Sequence, residues 1–401
     1  MDNKNIPYIR VATTFYKIVK TPKIYGNATE TLVKWKAQTI IQDKGRPYLD
    51  KIPKYDAFCC KPDHIDYKRE YENHYNIYNP LSHNSTKGSI NYTLIFLEHI
   101  FGEQIELGLD YLQLLYMKPT QILPVLCLVS RDRATGKSTF LKWLKCVFES
   151  NFTYLSNHDF SSSFNSDWAN KLLVCIDEVL FKTKEITERI KFLSTTDTIK
   201  IEAKGRDKVE REHYGKFILC SNNETTFVKI DREETRFWII KVPIIDKEDS
   251  LFLEKLKSEI PAFLYFLINR KLSVPISLTR MWFSPEQIRT NALLRVMYNS
   301  AEDMKFTIID TLHDLIQVIP NEVVNICPKD IMNLIGKDSN EVRSSIIYIF
   351  KRWGFKTANP APYHTYNYID GEYKHKKARG RYYSIPKDFI ISKFDNLTQY
   401  Q

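Results

Sequence analysis

The stretch CLVSRDRATGKSTFLKWL, Cys127–Leu144, passes from an apolar run through a polar loop into an amphipathic pattern. The spacing of its apolar residues predicts a strand, then a helix that begins at Gly136-Lys137-Ser138. This is the sequence order of a phosphate-binding loop. There, backbone N–H groups and the helix N-terminus surround a β-phosphate, the lysine neutralises the γ-phosphate, and the hydroxyl holds Mg²⁺. The residues predicted to bind nucleotide phosphates are Ala134, Thr135, Gly136, Lys137, Ser138 and Thr139.

Arg131 stands where the usual pattern, Gly-x-x-x-x-Gly-Lys-[Ser/Thr], has its first glycine. That glycine shapes how the loop leaves the strand, and other residues can make the turn at some cost. Arg131 therefore weakens the match without removing a catalytic group. Gly-Lys-Ser alone is weak evidence, because a helix start with a solvated lysine would explain it too.

Two acidic residues, Asp177 and Glu178, end a second apolar run, KLLVCIDEV. The first carboxylate could hold Mg²⁺, and the second could orient or deprotonate an attacking water. A solvent-exposed acidic pair at a strand end is the alternative.

A third run, KFILCSNNE, ends in Ser221-Asn222-Asn223. An amide placed between a γ-phosphate and water can sense hydrolysis without carrying charge, although an Asn-rich turn explains the residues equally well. Shortly after it, DREETRFWII offers Arg232 and Arg236, either of which could stabilise transition-state charge in a neighbouring subunit.

Alternation of such runs with helical stretches over residues 120–245 predicts an α/β domain with a largely parallel sheet. The chain has 401 residues and a net charge of +10, which favours a polyanionic partner without requiring one. Its seven scattered cysteines indicate reduced thiols. No segment has the pattern of a signal peptide or a membrane span. We therefore expect a cytoplasmic protein of a bacterial host or phage-infected cell, without a membrane partner.

The motifs RDRATGKST, LLVCIDE, FILCSNN and ETRF, in this order, resemble the core of superfamily 3 helicases, a branch of the AAA+ ATPases. The likeness is to the primase–helicases of phages, plasmids and mobile elements. It covers residues 120–245 well and the rest loosely. The resemblance implies a P-loop ATPase that uses ATP and Mg²⁺ and forms a ring, usually hexameric, on single-stranded DNA.

Carried over onto this sequence, the resemblance implies one role for each motif residue. Lys137 would contact phosphate, Ser138 and Asp177 would hold Mg²⁺, and Glu178 would be the catalytic base. Asn222 would be the sensor. Arg236 would be the arginine finger, with Arg232 in reserve.

Two regions are candidates for contacting DNA. Between the second and third motifs, IEAKGRDKVEREHYG carries Lys204, Arg206 and Lys208, and the family has a channel-lining loop or hairpin here. A solvated hairpin is the alternative, since acidic residues nearly balance the basic ones.

The C-terminal region predicts two helices joined near Lys337-Asp338, followed by a hairpin with Asp370-Gly371 at its tip, which is the arrangement of a winged helix. From residue 351 to 387 there are nine Lys or Arg and two acids. A protein-interaction module with a basic face is the alternative. The residues predicted to bind DNA here are Lys374, Lys376, Lys377, Arg379 and Arg381.

Three regions are therefore expected. Residues 1–118 form a mixed, helical region for oligomerisation or a DNA collar, 119–300 the ATPase core with a helical extension, and 301–401 a winged-helix-like domain. The expected function is an ATP-dependent replicative DNA helicase. An ATP-dependent origin-binding or loader protein, or a nucleotide-binding scaffold with weak hydrolysis, are the alternatives. Residues 1–118 lack the paired carboxylates and histidine suited to primer synthesis, so no polymerase activity is expected.

Overall fold

The structure is a computed structural model, and it describes ten ranges of the chain. These are residues 6–22, 29–162, 164–181, 183–202, 207–231, 234–245, 249–319, 321–336, 338–369 and 372–398. Contacts divide the chain into two compact units, the first made of Met1–Lys229 and Glu234–Leu294, the second of Ile230–Glu233 and Arg295–Gln401.

The first unit begins with two small sheets. One has the order β3-β2-β1-β4, and the other has the order β5-β7-β6. Their elements are β1 (Tyr8–Val11), β2 (Thr14–Thr21), β3 (Thr29–Trp35), α1 (Ala37–Lys44), β4 (Lys54–Tyr55), β5 (Ala57–Cys59), β6 (Glu70–Tyr71) and β7 (His74–Asn76).

The rest of the first unit is built on a five-stranded sheet with its flanking helices. In chain order the elements are α2 (Asn91–Phe101), α3 (Ile105–Met117), β8 (Val125–Val129), α4 (Lys137–Phe148), β9 (Phe152–Leu155), α5 (Asn157–Ser161), β10 (Leu173–Ile176), α6 (Lys184–Leu193), β11 (Thr198–Ile201), β12 (Val209–Glu212), β13 (Lys216–Ser221), β14 (Phe237–Lys241), α7 (Phe252–Ser258) and α8 (Ile260–Asn269). Helix α9 (Asn291–Val318) contains the division between the units.

The five-stranded sheet has the order β14-β8-β13-β10-β9, and every neighbouring pair is parallel. All residues of β8, β10 and β13 are buried, as expected for parallel strands covered by helices on both faces. The α/β organisation predicted from the apolar runs is therefore confirmed. The carboxyl ends of all five strands lie at one edge of the sheet, where the loops bearing the sequence motifs begin.

One hydrophobic core joins this sheet to α2, α3, α4, α7 and α8. It contains Phe96, Tyr111, Phe140, Trp238 and Phe263, all buried. The apolar stripe predicted for the helix after the phosphate loop faces this core, because its residues from 140 to 148 at helical spacing are buried. The domain boundaries expected at residues 118 and 300 stay predictions.

The second unit follows the order strand, two helices, hairpin, strand, helix. Its elements after α9 are β15 (Val323–Ile326), α10 (Pro328–Leu334), α11 (Asn340–Arg352), β16 (Ala361–Ile369), β17 (Glu372–Gly380), β18 (Tyr383–Pro386) and α12 (Lys387–Thr398). Strand β15 pairs antiparallel with β18, and β16 with β17. A separate core, including Leu312, Ile346 and Phe350, holds the unit together. The two predicted helices and the hairpin are thus present, whereas Lys337 and the tip Asp370-Gly371 lie outside the described residues.

None of the helices in the described ranges combines the length and apolar character that a membrane-spanning helix needs. All seven cysteines are free thiols.

Candidate nucleotide site

Two residues outside the loop from Ser130 to Gly136 donate hydrogen bonds to its carbonyl groups and so hold it in place. The Ala134 carbonyl accepts from the Ile245 N–H at 3.0 Å, and the Thr135 carbonyl accepts from His99 Nε2 at 3.0 Å. In a trans peptide unit the C=O and the following N–H point in opposite directions. The N–H groups of Thr135 and Gly136 therefore point away from these anchors.

The loop and the start of α4 offer unpaired hydrogen-bond donors. Within the described ranges, the backbone N–H groups of residues 133–139 have no acceptor in the chain; the first helical bond, from the Phe140 N–H to the Gly136 carbonyl, measures 2.8 Å. Left-handed backbone at Ala134 (φ +55°) and Gly136 (φ +86°) curls the loop. A curled run of free N–H groups at a helix N-terminus is a site for anions such as phosphate.

Lys137, the first residue of α4, is only 6% exposed. Its Nζ donates to Thr135 Oγ1 at 3.0 Å and lies 3.5 Å from the Ser130 carbonyl oxygen. Burial lowers the pKa of the Lys137 ammonium, and Asp177 and Glu224 oppose this shift. Its contacts with Thr135 and Ser130 thus hold the ammonium against the loop.

The structure brings Ser138 and Asp177 together, although they are 39 residues apart in the chain. Ser138 Oγ donates to Asp177 Oδ2 at 3.0 Å, and the Glu178 N–H donates to Asp177 Oδ1 at 3.1 Å. Glu178 itself is exposed and has φ +58°. Backbone in this sparsely populated region is often found where a side chain is directed for function.

The two asparagines after β13 have different surroundings. Asn223 Oδ1 accepts from the N–H groups of Thr225 at 3.0 Å and Thr226 at 2.7 Å, so its amide closes a turn. Asn222 is exposed. Its amide has no hydrogen-bond partner in the part of the chain that the structure describes, so it is free to contact a ligand.

Glu224 and Lys241 were not anticipated from the sequence. Glu224 is 8% exposed; its Oε1 accepts from the Arg131 N–H at 3.0 Å, and its Oε2 pairs with Lys241 Nζ at 3.1 Å. No sequence pattern indicated these contacts of Glu224, because they join residues that follow or end three different strands.

Arg236 lies at the other edge of the sheet from the phosphate loop. Strands β14 and β8 are parallel, with Phe237 opposite Val125, so Arg236 stands at their amino ends. Its Nη1 contacts Glu234 Oε1 at 3.1 Å, and Glu234 also pairs with Lys191 at 2.9 Å. The structure does not bring Arg236 to the phosphate loop of its own chain. The reserve candidate, Arg232, lies outside the described residues.

The first predicted DNA-contacting segment forms an antiparallel hairpin of β11 and β12. Of its predicted residues, Lys204 and Arg206 lie outside the described ranges. Lys208 is largely exposed and pairs with Glu202 at 2.9 Å.

The C-terminal hairpin carries exposed cations on both faces. Lys376 lies opposite Thr365 on the neighbouring strand, so both side chains project from the same face of the hairpin. On that face Thr365 contacts Asp330 of α10. Lys377 lies opposite His364 and therefore belongs to the other face. All five predicted cations of this region, Lys374, Lys376, Lys377, Arg379 and Arg381, are exposed.

Comparison with known proteins finds similarity in sequence and in fold. Residues 128–236 match a protein family described as a family of unknown function (DUF5906). A DNA primase-polymerase of Nitratiruptor phage NrS-1 is 29% identical over 133 residues, which is 32% of this chain and 18% of that protein. The aligned segment is thus a minor part of both.

Solved structures of the C-terminal region of NrS-1 share the fold along nearly the whole chain. An apo structure of that region is 14% identical, covers 94% of this chain and 95% of its own, and has a TM-score of 0.60. A second apo structure, 15% identical, covers 96% of each chain at a TM-score of 0.59.

Proposed function

We propose that this chain is a phage or mobile-element replication protein, an ATP-dependent DNA helicase of the superfamily 3 type that moves along single-stranded DNA as a ring. The observation that carries the proposal is the 3.0 Å contact between Ser138 Oγ and Asp177 Oδ2, beside the buried Lys137 ammonium and under a loop of free N–H groups. The sequence similarity to a phage DNA primase-polymerase supports a role in replication.

The residues around the loop fit a magnesium-bound triphosphate. A serine hydroxyl and a carboxylate oxygen are hard oxygen ligands of the kind Mg²⁺ prefers, with phosphates and waters completing its shell. Bound Mg²⁺ would neutralise charge on the β- and γ-phosphates. The N–H groups of the loop would bind the β-phosphate, and Lys137 would exchange its bond to Thr135 Oγ1 for a γ-phosphate oxygen.

Hydrolysis requires a water to be aligned and deprotonated. Glu178 is exposed next to the fixed Asp177 and would accept the proton of that water. Asn222, with a free amide, would hydrogen-bond the water or the γ-phosphate. Asn222 follows β13, the neighbour of β8, and Glu178 follows β10, the next strand of the same sheet. The loops that carry these two residues therefore begin at the same edge of the sheet as the phosphate loop.

DNA would be bound by the β11–β12 hairpin in the ring channel and, as duplex, by the β16–β17 hairpin of a winged-helix-like second unit. Exposed Lys376, Lys377 and Arg379 on two faces support phosphate contacts without sequence readout. We expect their joint replacement by alanine to weaken DNA binding and reduce its salt dependence.

The test is ATP hydrolysis by the purified chain with Mg²⁺ and single-stranded DNA. Lys137→Ala should abolish activity, whereas Lys142→Ala, at an exposed lysine of the same helix, should retain it. Absence of hydrolysis with no effect of Lys137→Ala on nucleotide binding would reject the proposal.

A forked-duplex assay distinguishes the related functions. ATP hydrolysis with strand separation supports a helicase, and hydrolysis without separation supports an origin-binding or loader protein. Nucleotide binding without hydrolysis supports a scaffold. Primase-polymerase activity, named for the phage relative, is outside the proposed function, because the aligned segment is 18% of that protein.

A further inference from the structure

We propose that Glu224 is the positioning residue of the phosphate loop, holding its first residue where the usual pattern has a glycine. The inference rests on the proposed nucleotide site and adds a residue that no motif of that site contains. Glu224 would act through the loop and would not touch the nucleotide.

The geometry around Glu224 joins three neighbouring strand ends. In the sheet, β8 lies between β13 and β14. Glu224 follows β13, its Oε1 accepts from the N–H of Arg131 just after β8, and its Oε2 pairs with Lys241 at the end of β14. One buried carboxylate thus fixes the start of the loop from the strands on both sides.

The charge of Glu224 is compensated, so the contact is stable. Burial raises the pKa of the Glu224 carboxyl, but the Arg131 N–H and the Lys241 ammonium outweigh burial, and the pKa lies below its usual value. An ionised carboxylate accepts stronger hydrogen bonds than a neutral group does.

A turn directs Glu224 toward the loop. The Asn223 amide accepts from the N–H groups of Thr225 and Thr226, and the Asn223 N–H donates to Ser221 Oγ at 3.1 Å. The same short segment therefore presents the free amide of Asn222 and the loop-holding carboxylate of Glu224.

Arg131 explains why an external acceptor is useful. Its backbone is not left-handed; the left-handed residues of the loop are Ala134 and Gly136. Its N–H donates to Glu224 Oε1, and the Ser130 hydroxyl accepts the next N–H, of Asp132, at 3.2 Å. A loop fixed before nucleotide arrives avoids an ordering cost on binding.

The experiment compares Glu224→Ala with Glu224→Gln in the full chain. Alanine removes the acceptor, so we expect affinity for Mg-ATP to fall roughly 10-fold. Glutamine keeps an acceptor oxygen, so affinity should return to within about 3-fold of wild type. A second readout is trypsin cleavage after the exposed Arg131 and Arg133 without nucleotide, which should be faster in the alanine variant alone.

A matched control is Asp110→Ala. Asp110 is fully buried, accepts from the N–H groups of Ser273 and Val274, and pairs with Arg270, and none of these partners belongs to the loop. Its loss should lower stability without changing Mg-ATP affinity or loop cleavage.

Two results would overturn the inference: wild-type affinity and loop cleavage in Glu224→Ala, or a glutamine variant as impaired as the alanine variant. If the wild-type chain bound no Mg-ATP, the proposed function would fail, and loop cleavage would still decide the role of Glu224.

Discussion

At the residue scale, Asp177 and Glu178 are adjacent in the chain but have different environments. Both oxygens of Asp177 accept hydrogen bonds, from Ser138 Oγ and from the Glu178 N–H. Glu178 is exposed on left-handed backbone. A fixed carboxylate suits a metal ligand, and an exposed one suits contact with a water that comes and goes.

We expect Asp177→Asn and Glu178→Gln to affect different constants. Asp177→Asn should weaken Mg-ATP binding, because a neutral amide is a poorer Mg²⁺ ligand than a carboxylate. Glu178→Gln should leave binding near wild type and lower kcat about 10²- to 10⁴-fold, the usual loss of a general base. Binding titrations and single-turnover hydrolysis measure the two effects. Wild-type turnover by Glu178→Gln would contradict the role of the base.

Gly136 is needed for both conformation and space. Its φ is +86°, and an added Cβ would lie 3.1 Å from Ile245 Cδ1 and 3.2 Å from Phe96 Cε2. We expect Gly136→Ala to destabilise the fold by about 1–2 kcal/mol and to displace the loop, so that Mg-ATP affinity falls.

The control for this variant is Gly336→Ala. Gly336 has φ +66°, with no atom within 4 Å of an added Cβ. It should show a similar loss in denaturant unfolding and unchanged Mg-ATP binding. Equal affinity of Gly136→Ala and Gly336→Ala for Mg-ATP would show that the loop does not need the space that glycine leaves at position 136.

At the element scale, the sequence predicted what depends on local pattern. Strands β8, β10, β13 and β14 are contiguous apolar runs because helices cover both faces of the sheet. Their shared carboxyl edge follows from parallel pairing, and it brings Ser138 to Asp177. Strand β9 (FTYL) was missed, since it is an edge strand with partly exposed residues.

The loop anchors could not be predicted because they are tertiary contacts. His99 belongs to α2, Ile245 follows β14, and Glu224 follows β13. Each is an ordinary residue in its own segment. Only the packing of that segment against the loop gives it a role, and one sequence carries no signal for such packing.

The two ring nitrogens of His64 have different partners, one in α3 and one in an irregular segment. Nδ1 lies 2.8 Å from the Tyr116 carbonyl, so it donates, and Nε2 lies 2.6 Å from the Tyr78 hydroxyl, so it accepts in the neutral ring. Burial lowers the pKa of His64 to about 4. The unfolded chain, with a histidine pKa of about 6.5, therefore binds a proton that the folded chain does not, between these two values.

Stability should accordingly fall as pH decreases from about 6.5 toward 4, with His64 contributing up to about 1.4 kcal/mol per pH unit. His64→Gln cannot take up this proton, so its loss of stability over the same range should be shallower, whatever its stability at pH 7. The buried His213, whose pKa is also lowered to about 4 by burial, leaves a residual slope in both proteins. Urea midpoints between pH 7 and 4.5 measure the difference, and parallel curves would contradict it.

At the scale of the whole molecule, the two edges of the parallel sheet have different proposed roles. The phosphate loop follows the carboxyl end of β8, and Arg236 precedes the amino end of the parallel neighbour β14. A five-residue strand spans roughly 16 Å, so Arg236 cannot reach the phosphate loop of its own chain without a rearrangement of the sheet. If Arg236 is the proposed arginine finger, it would therefore have to serve a neighbouring copy.

This arrangement predicts complementation between two inactive variants. In Lys137→Ala the proposed nucleotide site is damaged and Arg236 is intact, whereas in Arg236→Ala the proposed site is intact and the proposed finger is missing. In a ring assembled from equal amounts of both, about a quarter of the interfaces combine an intact site with an intact finger. We expect each variant alone to be inactive and the mixture to hydrolyse ATP with single-stranded DNA. If rings shown by mass measurement to contain both variants were as inactive as each variant alone, Arg236 would not act between chains. A Lys137→Ala, Arg236→Lys double variant, whose lysine keeps the charge but not the fork of donors, should complement Arg236→Ala poorly.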